Sequence, residues 1–93
     1  MQLYMFSVFD QAAGAYLPPF FLPGVGVAKR TFTDCVQSET HQFGKHPEDY
    51  ALIELGVFDD QEGKFQIYRT PETLLTGLQA KAKLTVVEDR EIA

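Results

Sequence analysis

The apolar positions of this chain fall into two similar blocks. Leu3–Phe9 is continuously apolar and aromatic apart from Ser7, which predicts a mostly buried strand. Asp10-Gln11-Ala12-Ala13-Gly14 follows as a turn, with glycine where a positive φ is needed. Ala15–Phe21 continues in extended form. Pro18 and Pro19 cannot donate to a ladder, so this segment reads as an edge or irregular strand. After Pro23-Gly24, Val25, Ala28, Phe32, Cys35 and Val36 recur at helical spacing. Lys29, Arg30, Thr33, Asp34 and Gln37 take the other face of that helix. Ser38–His46 is polar and reads as a loop with Phe43 tucked back. His46-Pro47-Glu48-Asp49 reads as a tight turn or one helical turn, because proline at a first helical position followed by acids suits a helix start.

The second block repeats the plan. Leu52–Phe58 is an apolar strand, Asp59-Asp60-Gln61-Glu62-Gly63 a turn, and Lys64–Arg69 a strand with partial alternation. Thr70 and Pro71 have the chemistry of an N-cap and a first helical residue. Leu74, Leu75, Leu78 and Ala82 then form an apolar stripe, weakened by Gly77 at about 1 kcal/mol relative to alanine. Beyond Leu84 the chain turns charged. The expectation is one domain over residues 1–83 and a flexible charged tail over 84–93.

Set at an offset of 49 positions, Val8-Phe9-Asp10 matches Val57-Phe58-Asp59, Gly14 matches Gly63, and Tyr16 matches Phe65. The predicted fold class is α+β: a two-layer ββα-ββα plan with a mostly antiparallel four-stranded sheet and two helices on one face. Alternation along the strands puts Tyr4, Phe6 and Val8 with Ile53, Leu55 and Val57 under the helices. Leu3, Met5, Phe9, Leu52 and Phe58 then lie on the opposite face, which is too apolar to be simply solvated. Two uses of that face stand side by side. One is a homodimer packed sheet to sheet through those five residues. The other is an aromatic platform for unpaired nucleic-acid bases.

Composition narrows the choice only a little. The chain has 93 residues, 45% of them hydrophobic, and a formal net charge of -5. That charge favours solubility and gives no reason to expect general affinity for nucleic acid or anionic membrane. The single cysteine, Cys35, excludes an intramolecular disulfide, and its place on an apolar helical stripe reads as packing. No apolar run is long enough to span a bilayer, and the N-terminus lacks a basic leader region, so an intracellular protein is expected. Enzyme chemistry is thin, with no phosphate loop, nucleophile elbow or dinucleotide fingerprint. His41 and His46 lack a convincing third ligand for a metal. His46, Glu48 and Asp49 offer a base and two acids but read more simply as a capped turn. The expectation is a non-enzyme without cofactors.

Phe6-Ser7-Val8-Phe9-Asp10, Pro19-Phe20-Phe21 and Ala28-Lys29-Arg30-Thr31-Phe32 form the first part of a recognisable order. The core of it is His46-Pro47-Glu48-Asp49-Tyr50-Ala51-Leu52, then Glu54-x-Gly56-x-Phe58-Asp59. Together these segments resemble the small nonstructural protein of gokushovirus-type microviruses, tailless phages with single-stranded DNA genomes. The resemblance covers roughly residues 3–75. It implies a nonstructural or DNA-binding protein of the host cytoplasm, acting in viral single-stranded DNA synthesis or its switch to packaging. It brings no catalytic residues. A direct DNA binder of this sequence would use Lys29, Arg30, Lys64 and Arg69 with Tyr16, Phe65 or Tyr68. The alternative is a homodimeric adaptor acting on replication or capsid-assembly proteins without DNA contact.

Overall fold

A computed structural model of the chain describes residues 1–82. In order, the elements are β1 (Gln2–Asp10), β2 (Ala15–Tyr16), β3 (Phe20–Leu22), α1 (Val25–Gln37), α2 (Gln42–Lys45), a 3-10 turn (Pro47–Asp49), β4 (Tyr50–Asp59) and β5 (Lys64–Thr76). Residues 77–82 are helical and are called α3 here. Among the described residues the strands form one antiparallel sheet in the order β2-β1-β4-β5, with β3 also paired to β1. The fold is the expected two-layer α+β arrangement. The expected charged tail, 84–93, lies outside the described residues.

Both hairpin turns are built the same way. Gly14 and Gly63 have φ of 68° and 67°, a left-handed conformation that disfavours any side chain with a Cβ. The Gly14 amide donates to the Asp10 carbonyl at 2.8 Å, and the Gly63 amide to the Asp59 carbonyl at 2.8 Å. The Asp10 carboxylate accepts from the Ala12 and Ala13 amides, and the Asp59 carboxylate from those of Gln61 and Glu62. These are Asx turns, in which a short acidic side chain takes up backbone donors that the turn would otherwise leave open. The two backbone bonds to Asp59 hold its carboxyl below the usual carboxylate range.

The core lies between one sheet face and the helices. Ala28, Phe32 and Val36 repeat every four residues along α1 and meet Phe6, Val8, Tyr50, Leu52 and Leu75 from the sheet. Phe43 of α2 closes the end of this core, its ring 4.5 Å from Tyr50 and 5.7 Å from Phe32. Burying a side chain such as Phe6 or Leu52 fully is worth about 1.5–3 kcal/mol.

Besides the short helix α2 that forms within the expected Ser38–His46 loop, two sequence expectations fail here. Residues 70–75 are strand rather than helix, because β5 pairs with β4 through Glu72, Thr73, Leu75 and Thr76. The helix starts at Gly77 instead. Its cap is a reciprocal box in which the Gln79 amide donates to Thr76 Oγ1 and the Thr76 amide to Gln79 Oε1, both at 3.0 Å. Gly77 is also required by space, since a Cβ there would lie 2.0 Å from the Pro47 carbonyl oxygen. Second, the faces of β4 are out of phase with the expectation. Met5 pairs with Gly56 and Phe6 with Glu54, so Leu55 has no partner on β1. This bulge inserts one residue and flips the alternation. Leu52, expected on the open face, pairs with Val8 and is fully buried under the helices. Ile53, expected under the helices, pairs with Ser7 on the opposite face. Val57 and Phe58, beyond the bulge, lie where alternation put them.

Candidate functional site

The face away from the helices carries an aromatic cluster. Phe58 and Phe65 are cross-strand partners at the top of the second hairpin, their ring centroids 4.7 Å apart. Phe21 of β3 pairs with Met5 and reaches the same spot, 5.8 Å from Phe58 and 6.1 Å from Phe65. Three strands therefore contribute one ring each. Phe65 is 58% exposed and Phe21 39%, with Ile67 beside them at 62%. Towards the other end of the face, Phe9 and the exposed Tyr16 make an edge-to-face pair at 4.9 Å. Such centroid distances fall in the attractive range for aromatic pairs. The open ring faces are what stacking on a planar apolar group requires.

The basic residues expected to accompany these rings are divided. Lys64 precedes Phe65 in β5, and Arg69 lies exposed further along the same strand. Lys29 and Arg30 sit on α1, which packs on the other face of the sheet. They are not brought to the aromatic cluster. Tyr68 is also elsewhere: its hydroxyl donates to Oε2 of the buried Glu54, next to Phe6. That bond, with burial and the Glu54 charge, pushes the Tyr68 phenol up to about 12. Of the expected interface residues, Leu3, Phe9 and Phe58 are half-buried on the open face, Met5 is buried at its centre, and Leu52 belongs to the core. Phe21 was not singled out from the sequence. Its signal was the pattern Phe20-Phe21-Leu22 after the two prolines, in which alternate residues must face opposite ways.

The HPEDY segment is an architectural junction. Within the 3-10 turn the Asp49 amide donates to the His46 carbonyl at 3.0 Å, and the Asp49 carbonyl accepts from the Gln11 amide at 2.8 Å. This ties the turn to the first hairpin, while Pro47 presses on Gly77 and Tyr50 enters the core. Burial and the nearby Asp10 and Asp49 charges raise the Tyr50 phenol above its ordinary value. His41 caps α2, its Nδ1 accepting from the Phe43 amide at 3.1 Å. Among the described residues no group of three His, Cys, Asp or Glu side chains could hold a metal ion. None of their helices is long and apolar enough to cross a membrane.

A second concave feature is an apolar cavity of about 360 Å³ between α1 and the irregular arm of the first hairpin, bounded by Leu17, Pro18, Phe20, Phe32 and Cys35. Burial, and secondarily the neighbouring Asp34, raises the Cys35 thiol above its ordinary range. That works against the thiolate needed for nucleophilic chemistry.

Comparison with known proteins gives one family. No curated protein and no solved structure matches the chain. Residues 3–80 match the family described as Phage ORF5 protein, a span that takes in both hairpins, α1, the HPEDY turn and the aromatic cluster. The chain belongs to the Phage ORF5 protein family.

Proposed function

We propose that this chain is the nonstructural protein of a gokushovirus-type microvirus. It acts in the host cytoplasm on viral single-stranded DNA synthesis or its regulation, by binding the DNA strand. The observation that carries this reading is the trio of the exposed Phe21 and Phe65 with the half-buried Phe58 on the face free of helices. Bases of an unpaired strand stack on such rings with little regard to sequence. Lys64 and Arg69 lie on the same strand as Phe65 and supply phosphate contacts, Lys64 from the strand edge because its side chain alternates to the other face with Gln66. Lys29 and Arg30, on the opposite side of the sheet, drop out of this binding surface. With only two cations at hand and a net charge of -5, stacking must contribute more of the affinity than phosphate contact.

Fluorescence anisotropy with a labelled single-stranded oligonucleotide across a salt series tests this. Binding at low salt is expected. Phe65→Ala should weaken it by about 1–3 kcal/mol, and Lys64→Ala should lower the salt slope by about one. Absence of binding at low salt and high protein concentration overturns direct DNA recognition. The second reading is an adaptor that uses the same face to hold replication or capsid-assembly proteins. The acidic net charge and the apolar surroundings of the trio favour it.

A further inference from the structure

The two edges of the sheet are treated differently. One edge is short and interrupted: β2 spans two residues, and Pro18 and Pro19 separate it from the three-residue β3. Short strands and prolines are ways in which proteins prevent edge-to-edge pairing. The other edge is β5. Its far half is also blunted. Gly56 pairs with Ile67 and Glu54 with Glu72, so residues 68–71, including Pro71, bulge out opposite Leu55. Between the Asp59–Gly63 turn and that bulge lies a run, Lys64-Phe65-Gln66-Ile67, with neither proline nor bulge. β4 is its partner on one side, and among the described residues no strand pairs with the other. This run also carries the two most exposed of the sheet's large apolar side chains, Phe65 at 58% and Ile67 at 62%.

The run is complementary to itself. In a two-fold antiparallel pair that keeps the helices of both copies on one side, a residue must face one an even number of places away. Placing Gln66 opposite its own copy sets Phe65 against Ile67 and Ile67 against Phe65. Lys64 then faces Tyr68, and the pairing stops where the bulge begins. Sliding by two in one direction sets Gly63 against Ile67, and in the other it puts Phe65 against Arg69 within the bulge. Those two registers set Phe65 or Ile67 against its own copy and leave the other without an apolar partner, whereas the Gln66-centred register gives both an apolar partner and leaves like charges apart.

We infer that β5 pairs edge to edge with β5 of a second copy of this chain, antiparallel and centred on Gln66. The open face then runs without a break from Phe21, Phe58 and Phe65 of one copy into Ile67 and Phe65 of the other. This differs from packing sheet to sheet, in which those side chains would be covered. It does not rest on DNA binding, and loss of the pair with DNA binding retained would leave the DNA reading standing.

Light scattering on the full chain is expected to rise with concentration from 10.5 kDa towards twice that mass. Gln66 is exposed and its side chain is not part of the open aromatic face. Gln66→Lys and Gln66→Glu each place two like charges opposite one another and should weaken dimerisation about fivefold or more. An equimolar mixture of the two variants should restore it, since unlike charges then meet. A monomer at every concentration overturns the inference. So does a dimer that ignores both Gln66 variants but is lost in Phe65→Ala, because that result marks face-to-face packing. Failure of the mixture to recover what each variant lost overturns it as well.

Discussion

The first hairpin and the second begin from the same turn and end in different strands. Asp10 and Gly14 make the hydrogen bonds that Asp59 and Gly63 make 49 residues later. From there the arms diverge. The first arm stays bonded through Leu17, whose amide donates to the Val8 carbonyl at 2.9 Å, then breaks at Pro18 and Pro19 and resumes its pairing with β1 at Phe20. The second arm pairs with β4 from Lys64 to Ile67 and resumes after its bulge. Ser7 and Gly56 stand at equivalent positions of the repeat and show how each arm is accommodated. The buried Ser7 hydroxyl donates to the Leu17 carbonyl at 2.6 Å, fastening the broken arm to β1. Gly56 has no side chain, and a Cβ there would come within 2.3 Å of the Gln66 carbonyl oxygen. One arm is tied down and closes its edge, whereas the other lies close against β4 and leaves its outer edge open. The difference places the exposed aromatic surface at the second hairpin.

The sharpest test of this asymmetry compares two residues of the second hairpin. Leu52 is fully buried beneath the helices, whereas Phe65 is more than half exposed on the open face. Leu52→Ala should destabilise the fold by about 2–5 kcal/mol. Phe65→Ala should cost only about 0.5–1.5 kcal/mol, the loss of its ring contacts with Phe58 and Phe21. Urea unfolding of both variants at low protein concentration measures the contrast. Equal losses would mean that the open face is part of the core, and the two sides of the sheet would no longer differ.

A smaller effect tests the likeness of the two turns. Gly14 and Gly63 have almost the same positive φ, and neither has an atom within 4 Å of where a Cβ would sit. Alanine at either position therefore meets a conformational penalty and no clash. Each substitution should lower stability by about 1–2 kcal/mol, and the two values should agree. A turn that tolerated alanine freely would show that the repeat in sequence is not a repeat in backbone energetics.

Much of this arrangement was legible in the sequence where the signal was local. Asp-to-Gly turn spacing marked both hairpins, the stripe from Val25 to Val36 marked α1, and Pro18-Pro19 marked the irregular edge. What was hidden depended on partners distant in sequence. Thr70-Pro71-Glu72-Thr73 has good helix-start chemistry, yet β4 captures it as strand, because Leu75 reaches the core opposite Leu52 only in that form. The bulge at Leu55 leaves no mark on composition, and it sent Leu52 and Ile53 to the faces opposite those that alternation gave them. For the candidate site, the open face and Phe58 and Phe65 were legible. Phe21 was missed, and Lys29 and Arg30 were grouped with rings on the other side of the sheet, because no local pattern says on which layer a helix packs.

The bulge that hid these faces also supplies the subtlest expected effect. Opposite Leu55 the second arm swings out, and Tyr68 there donates its hydroxyl to Glu54, a bond for which the equivalent stretch of the first hairpin has no tyrosine. Tyr68→Phe should lower stability at neutral pH by about 0.5–1.5 kcal/mol. The pH dependence has a definite sign. The folded phenol is raised to about 12 from an ordinary value of 10.0, so the unfolded chain loses this proton first. The contribution is complete below pH 10 and is lost as pH rises from there through about 12. Ultraviolet titration of the folded chain should show a tyrosine ionising late, and Tyr68→Phe should remove that late step. If the variant keeps it, the late proton belongs to another phenol. Tyr50, itself raised by burial, would be the group to test next, and the anchoring of the second arm would have to lie in its backbone pairing alone.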